Sequence, residues 1–157
     1  MPDEYIQDFW PEEGTYCFGC GKNNKDGLQL KSYWQDNDEV VATWEPEAHH
    51  LAFRGILNGG IIATLMDCHG TGTANAAAYK AASDSEQTFM HVTGELSVKY
   101  LRPTPLDKPV TLRARVTEMG ERKIKVACDL YSDDVKCATG EVVTVRVDLR
   151  LFLDDNK

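Results

Sequence analysis

The sequence predicts an α+β domain in which one long helix is set against a curved antiparallel sheet of five to six strands. Two observations predict it. The stretch Gly55–Ala78 is the longest in the chain that reads as helix, and period-two alternation of apolar and polar residues flanks it on both sides. The strands after the helix are joined by short turns with no repeated crossover helices, which implies antiparallel neighbours.

Bulk composition bounds the rest. The chain has 157 residues with 42% hydrophobic content, enough for one well-buried domain and too short to argue for two. Its 25 acidic against 17 basic residues give a formal charge of -8, which disfavours phosphate backbones and anionic membrane surfaces. Nucleic acid is therefore not expected as a partner. No apolar run approaches the length of a membrane span, and Met-Pro-Asp-Glu-Tyr at the start lacks the basic and apolar regions of a signal peptide. The expectation is a soluble, cytoplasmic protein.

Taken in order, residues 1–26 carry the aromatic anchors Tyr5, Phe9, Trp10, Tyr16 and Phe18 between acids, prolines and glycines. Disordered tails are poor in aromatics, so this segment is expected to lie over the main domain, residues 27–153. Five cysteines without an export signal predict reduced thiols. Cys17 and Cys20 make half of a zinc knuckle, but no second Cys-x-x-Cys follows, and His49 and His50 are adjacent rather than spaced as ligands. The turn-like Asn23, Asn24, Asp26 and Gly27 that follow also disfavour a helix-opening redox pair, so two reduced cysteines in an ordered loop and no metal are expected.

From Gly27, Leu28, Leu30 and Tyr33/Trp34 alternate loosely, and Val40, Ala42 and Trp44 alternate cleanly; two strands joined at Gln35–Asp38 fit this. A loop from Pro46 leads to the helix, expected from about Gly59 to Ala82 and broken by Ser83-Asp84-Ser85-Glu86. Met90–Leu101 reads as a long strand, with Val92, Leu96, Val98 and Tyr100 on one face and Thr93, Glu95, Ser97 and Lys99 on the other. Strands over Val110–Val116, Ile124–Leu130 and Ala138–Leu151 complete the sheet, with turns at Met119–Arg122 and Ser132–Asp134.

Plotted at about 100° per residue, Gly60, Ala63, Thr64, Gly70, Thr71, Ala74 and Ala78 fall within about 60° of Asp67. All are small, as suits a close ligand or backbone. Ile61, Ile62, Leu65, Ala76 and Tyr79 lie opposite and are expected to face the sheet. Asp67 is the only ionisable group on the small strip, and the amides of Gly59–Ile62 at the helix start form a partial positive site suited to a developing oxyanion. His69 falls about 160° round the helix from Asp67 and is expected to be hydrogen-bonded on the sheet side. No Gly-x-Ser-x-Gly, His-Glu-x-x-His or phosphate-cradling loop is present. A carboxylate with backbone donors suits hydrolysis of an activated acyl group, with Asp67 as general base or nucleophile.

Asn58–Asp67 (Asn-Gly-Gly-Ile-Ile-Ala-Thr-Leu-Met-Asp) resembles the His-Gly-Gly-x-x-x-x-x-x-Asp helix of PaaI-type hotdog-fold acyl-CoA thioesterases. Cys17-Phe18-Gly19-Cys20-Gly21 with Gly27-Leu28-Gln29-Leu30, and the stretch Thr93–Pro103, carry the same resemblance. It implies that Asp67 is the catalytic acid, that Gly60 or Gly59 polarises the thioester carbonyl, and that Thr93 orients the attacking water. The family's histidine before the glycine pair is Asn58 here, which offers an amide donor but cannot titrate. The resemblance also implies a homodimer or homotetramer with the site between subunits. The small strip would then line an acyl-pantetheine tunnel, and Gly59 and Thr64 are candidates for binding the substrate. Lys99 and Arg102, with Arg122 and Lys123, are candidates for the nucleotide end of coenzyme A, which enters as part of the substrate; no further cofactor is implied. Replacement of the histidine by Asn58 keeps a non-catalytic acyl-CoA-binding protein as the alternative.

Overall fold

The computed structural model describes residues 4–82 and 88–151. The helix break predicted at Ser83–Glu86 and the end of the domain at residue 153 lie outside them. The elements follow the expected order: β1 (Tyr33–Trp34), β2 (Val40–Trp44), the helix α1 (Gly59–Ala81), β3 (Phe89–Tyr100), β4 (Val110–Met119), β5 (Lys123–Ser132) and β6 (Val135–Asp148). They form one six-stranded antiparallel sheet in the order β1-β2-β4-β5-β6-β3, with α1 packed on one face. This is the hotdog arrangement expected from the sequence.

Alternation drives the sheet. Leu112 and Ala114 of β4 and Ile124, Val126, Cys128 and Leu130 of β5 point inward and are buried in one cluster with Leu65 and Met66 of α1, and Val142 of β6 is buried against Gly70. β1 is shorter than its apolar pattern suggests. Gln29 sits at φ 53, which interrupts an extended strand. Leu28 and Leu30 are buried all the same, because their amides pair with the carbonyls of Phe18 and Gly19 in the cysteine loop.

The helix starts at an Asn cap: Asn58 Oδ1 accepts from the Gly60 and Ile61 amides at 2.8 and 3.2 Å. Its faces differ from the expected plot. Gly70, Ala74 and Ala78 are not on an open strip but buried, and a Cβ on Gly70 would lie 2.5 Å from Val142 Cγ2, so its bareness lets β6 come close. Ile61, Ala76 and Tyr79, expected against the sheet, are only half-buried. The physical reason is that α1 is covered on two sides. The sheet takes one, and the N-terminal segment takes another, with Gln7 and Ile6 against the bare Gly72. What stays accessible is a shorter strip: Gly60, Ala63, Thr64, Asp67 and Thr71.

The N-terminal segment is locked to the helix by a buried chain of hydrogen bonds. Gln7 exchanges two with Ser32, through the Ser32 amide at 2.8 Å and the Ser32 hydroxyl at 3.0 Å. Ser32 Oγ lies 2.8 Å from His69 Nδ1, and His69 Nε2 lies 2.9 Å from the Val40 carbonyl. A carbonyl only accepts, so Nε2 carries the proton and Nδ1 accepts from Ser32. His69 is thus a structural histidine on the far side from Asp67.

Candidate functional site

Asp67 lies midway along the accessible strip, half-buried, and accepts a 2.7 Å hydrogen bond on Oδ1 from Thr93 Oγ1. Thr71, one helical turn on, places its hydroxyl 3.1 Å from that of Thr93. The pairing of helix and strand depends on a bulge. Plain alternation puts Thr93 on the face opposite Leu96, yet both face the helix. The register with β6 shifts between Thr93 and Glu95, so Gly94 is an extra residue: Thr93 stands opposite the buried Thr144, and Leu96 opposite the buried Val142. The bulge turns Thr93 toward Asp67 and keeps the apolar residues beyond it inward.

A second device fixes β3 to the helix. Within the described sheet β3 pairs only with β6, which leaves its other edge open. At His91 the fully buried Asn75 of α1 takes the place of a neighbouring strand. Its Oδ1 accepts from the His91 amide at 2.8 Å and its Nδ2 donates to the His91 carbonyl at 3.0 Å. Thr93 is two residues along the same face.

Burial pushes the Asp67 carboxyl above its ordinary range, the Thr93 hydrogen bond pulls it back, the negative charge of Cys17 adds to the rise and Thr71 opposes it. The result is a carboxylate more basic than one in open water. It borders a cavity of about 200 Å³ lined also by Trp10, Cys17, Thr71, Met90 and Thr93. A larger concavity of about 510 Å³ opens near Phe89 and Arg146 and is not lined by this carboxylate.

The remaining predicted positions divide. Asn58 is the helix cap through its carbonyl oxygen, rather than a donor, and it occupies the Gly60 amide. The Gly59 amide donates to no described residue, and the Tyr100 hydroxyl donates to the Gly59 carbonyl at 2.6 Å. The Thr64 hydroxyl is turned back onto the Gly60 carbonyl at 2.9 Å. Lys99 and Arg102 are exposed at the Tyr100 end of β3, near the start of the helix. Lys99 is on the sheet face turned from α1, so the structure does not bring it to Asp67. Along the helix, Gly60 and Asp67 are separated by about 10 Å, at about 1.5 Å per residue.

A feature the sequence reading missed is a third thiol. Cys68, next to Asp67, meets the Cys17–Cys20 loop, and the three sulfurs lie within 4.8 Å of one another. Hydrogen bonds from Cys20 and then Cys68, with the Cys20 and Gly19 amides, hold Cys17 far below the usual thiol range, whereas Cys20 and Cys68 are pushed up, in each case first by the bond to Cys17. The histidine pair His49 and His50 is not part of this cluster. The only sequence signal was a cysteine on the helix 51 residues from Cys17, a separation that no spacing rule covers.

Comparison with known proteins decides the family. Residues 54–139, more than half of the chain, match the thioesterase superfamily. The chain belongs to that superfamily. A thioesterase superfamily protein from Shewanella loihica PV-4 is 38% identical, with a TM-score of 0.62 over 74% of this chain and 89% of that one. Acyl-coenzyme A thioesterase THEM4 of Rattus norvegicus is 29% identical over 104 residues, 66% of this chain. The match spans only 40% of that longer protein. A Streptococcus mutans UA159 protein solved bound to acetyl CoA shares the fold, with a TM-score of 0.63 at 18% identity, covering 76% of this chain and 89% of that one. This superfamily member has no helix among its described residues long and apolar enough to cross a membrane.

Proposed function

We propose that this protein hydrolyses acyl-CoA thioesters to a free acid and coenzyme A. The observation that carries the reading is the half-buried Asp67, oriented by Thr93 and made more basic by burial, on a strip of small side chains. Asp67 takes a proton from water, or attacks the carbonyl carbon itself. The C–S bond then breaks, and the coenzyme A thiolate leaves and is protonated. Water adds OH to the acyl group and H to the thiol, so the balance closes without any further cofactor. The carbonyl oxygen is polarised by a helix N-terminus, with the Gly59 amide as first donor because Asn58 occupies that of Gly60.

About 10 Å of helix between the glycine pair and Asp67 is too far for one thioester carbonyl to touch both in a single subunit. The reading therefore places the glycines of one subunit opposite Asp67 of another, in a homodimer or homotetramer formed through the open edge of β3. The exposure of Thr93, beside a carboxylate whose base strength depends on exclusion of water, supports a covering partner. The acetyl CoA in the Streptococcus mutans relative supports the ligand class. Arg102 is the basic side chain best placed for its nucleotide end, with Lys99 further out on the other sheet face. Five free thiols suit the reducing cytoplasm.

Asn58 favours a second reading, a non-catalytic acyl-CoA binder, because its side chain blocks the Gly60 amide. Release of free coenzyme A from short, medium, long and aromatic acyl-CoAs decides between them. Turnover of any member supports the enzyme. Thermal stabilisation by these ligands without turnover supports the binder and ends the hydrolase reading.

A further inference from the structure

The cluster of Cys17, Cys20 and Cys68 supplies no reacting group to the hydrolysis just described, and its geometry is specific. Four sulfurs around a zinc ion at about 2.3 Å stand about 3.8 Å from one another in a tetrahedron. Cys17 Sγ and Cys68 Sγ are 3.8 Å apart, and all three sulfurs lie within 4.8 Å. Two of them sit on a tight turn in which the Gly21 amide donates to the Cys17 carbonyl at 2.8 Å. The third comes from the middle of α1. The loop is shaped to admit it: a side chain on Gly19 would collide with Cys68 Sγ, and one on Gly21 with the Cys17 and Thr15 backbone. Trp10 Nε1 donates to Cys20 Sγ at 3.4 Å, an N–H to sulfur contact of the kind that surrounds metal-bound thiolates.

We propose that Cys17, Cys20 and Cys68 bind one thiophilic divalent cation, Zn²⁺, with the fourth position open to the cavity that Asp67 lines. Three thiolates and no oxygen donors among the ligands select a soft or borderline ion over Mg²⁺ or Ca²⁺. Binding releases the remaining thiol protons and leaves an MS₃ unit of charge -1, and water or a small anion completes the tetrahedron. The ion ties the N-terminal segment to α1 one residue from Asp67. The site goes beyond the thioesterase reading and does not depend on it, since metal uptake is read without substrate.

The test uses the full chain purified under reductant. Elemental analysis is expected to give one zinc per chain. Chelated protein titrated with Co²⁺ is expected to show sulfur-to-cobalt charge-transfer bands with the intensity of three thiolates, displaced by one equivalent of Zn²⁺. Cys68→Ser should weaken Co²⁺ binding about 100-fold or more, whereas Cys128→Ser, on a buried cysteine outside the cluster, should leave it unchanged. Absence of the charge-transfer bands in folded wild-type protein overturns the proposal. So does an intensity of two thiolates, or a Cys17–Cys68 disulfide found by mass spectrometry in the reduced preparation. These wild-type readouts stand even where Cys68→Ser fails to fold.

Discussion

Replacing Asn75 with alanine isolates the device that holds β3 beside the helix. The side chain satisfies both backbone groups of His91, accepting at 2.8 Å and donating at 3.0 Å, and both residues are buried. Opposite Arg146 of β6, His91 occupies a position whose amide and carbonyl point away from β6, so no described strand can replace the lost partner. Each buried group left unpaired costs about 1–3 kcal/mol, so the pair together costs about 2–6 kcal/mol. That is a large share of the roughly 5–15 kcal/mol that holds a domain folded. Urea unfolding followed by circular dichroism measures it: at an m-value of about 2 kcal/mol/M the midpoint falls by about 1–3 M with m unchanged. Asn75→Asp keeps the acceptor but loses the donor and buries a charge, so it should not rescue. A midpoint for Asn75→Ala within about 0.25 M of wild type, or about 0.5 kcal/mol, refutes the idea that the amide stands in for a strand.

Three further outcomes follow from the same geometry. Asp67→Ala removes the reacting carboxylate and should lower kcat by about two orders of magnitude or more with the oligomer intact by light scattering; unchanged turnover rejects the site. Thr93→Val removes the 2.7 Å bond that orients that carboxylate, together with the 3.1 Å contact to Thr71, and should lower kcat by about tenfold with KM nearly constant; a pure KM effect would place Thr93 in substrate binding instead. Burial pushes His69 down to about 4 against the opposing Val40 hydrogen bond, so the folded state holds it neutral while the unfolded chain protonates it near the ordinary 6.5. Its contribution is therefore complete above pH 6.5 and is lost as pH falls toward 4, about 3 kcal/mol at about 1.36 kcal/mol per unit. Denaturant unfolding at pH 7 and pH 4.5 should show the decline, and a His69→Gln variant with the same slope as wild type would count against it.

The protonation cost at His69 has a visible cause. Once Nδ1 carries a proton, Ser32 Oγ must accept from both His69 and Gln7, and its own proton loses its partner in a fully buried place. The same network explains how the aromatic-rich segment around Gln7 is held on the helix: Gln7 is bonded to Ser32, not held by apolar contact alone.

Much of the architecture was legible in the residues because it rests on local periodicity. Alternation at Val40–Trp44, Val110–Val116 and Ile124–Leu130 marks inward faces wherever the sheet lies, and Asn58 before a glycine pair marks a helix start through its capping oxygen. The small residues around Asp67 likewise placed it on an accessible part of the helix, where it is half-buried. Tertiary structure decided what depends on partners distant in sequence. Which flank of α1 is covered follows from the sheet and the N-terminal segment together, so Gly70, Ala74 and Ala78 became packing residues and the open strip shortened to Gly60, Ala63, Thr64, Asp67 and Thr71. The bulge at Gly94 inverts the alternation of β3, a one-residue register event that period-two reading cannot place, and with the Asn75–His91 bonds it sets Thr93 against Asp67. Cys68 joins Cys17 and Cys20 only because the loop folds onto the helix. Local pattern sets which residues turn inward; the contacts between elements set which of the rest meet.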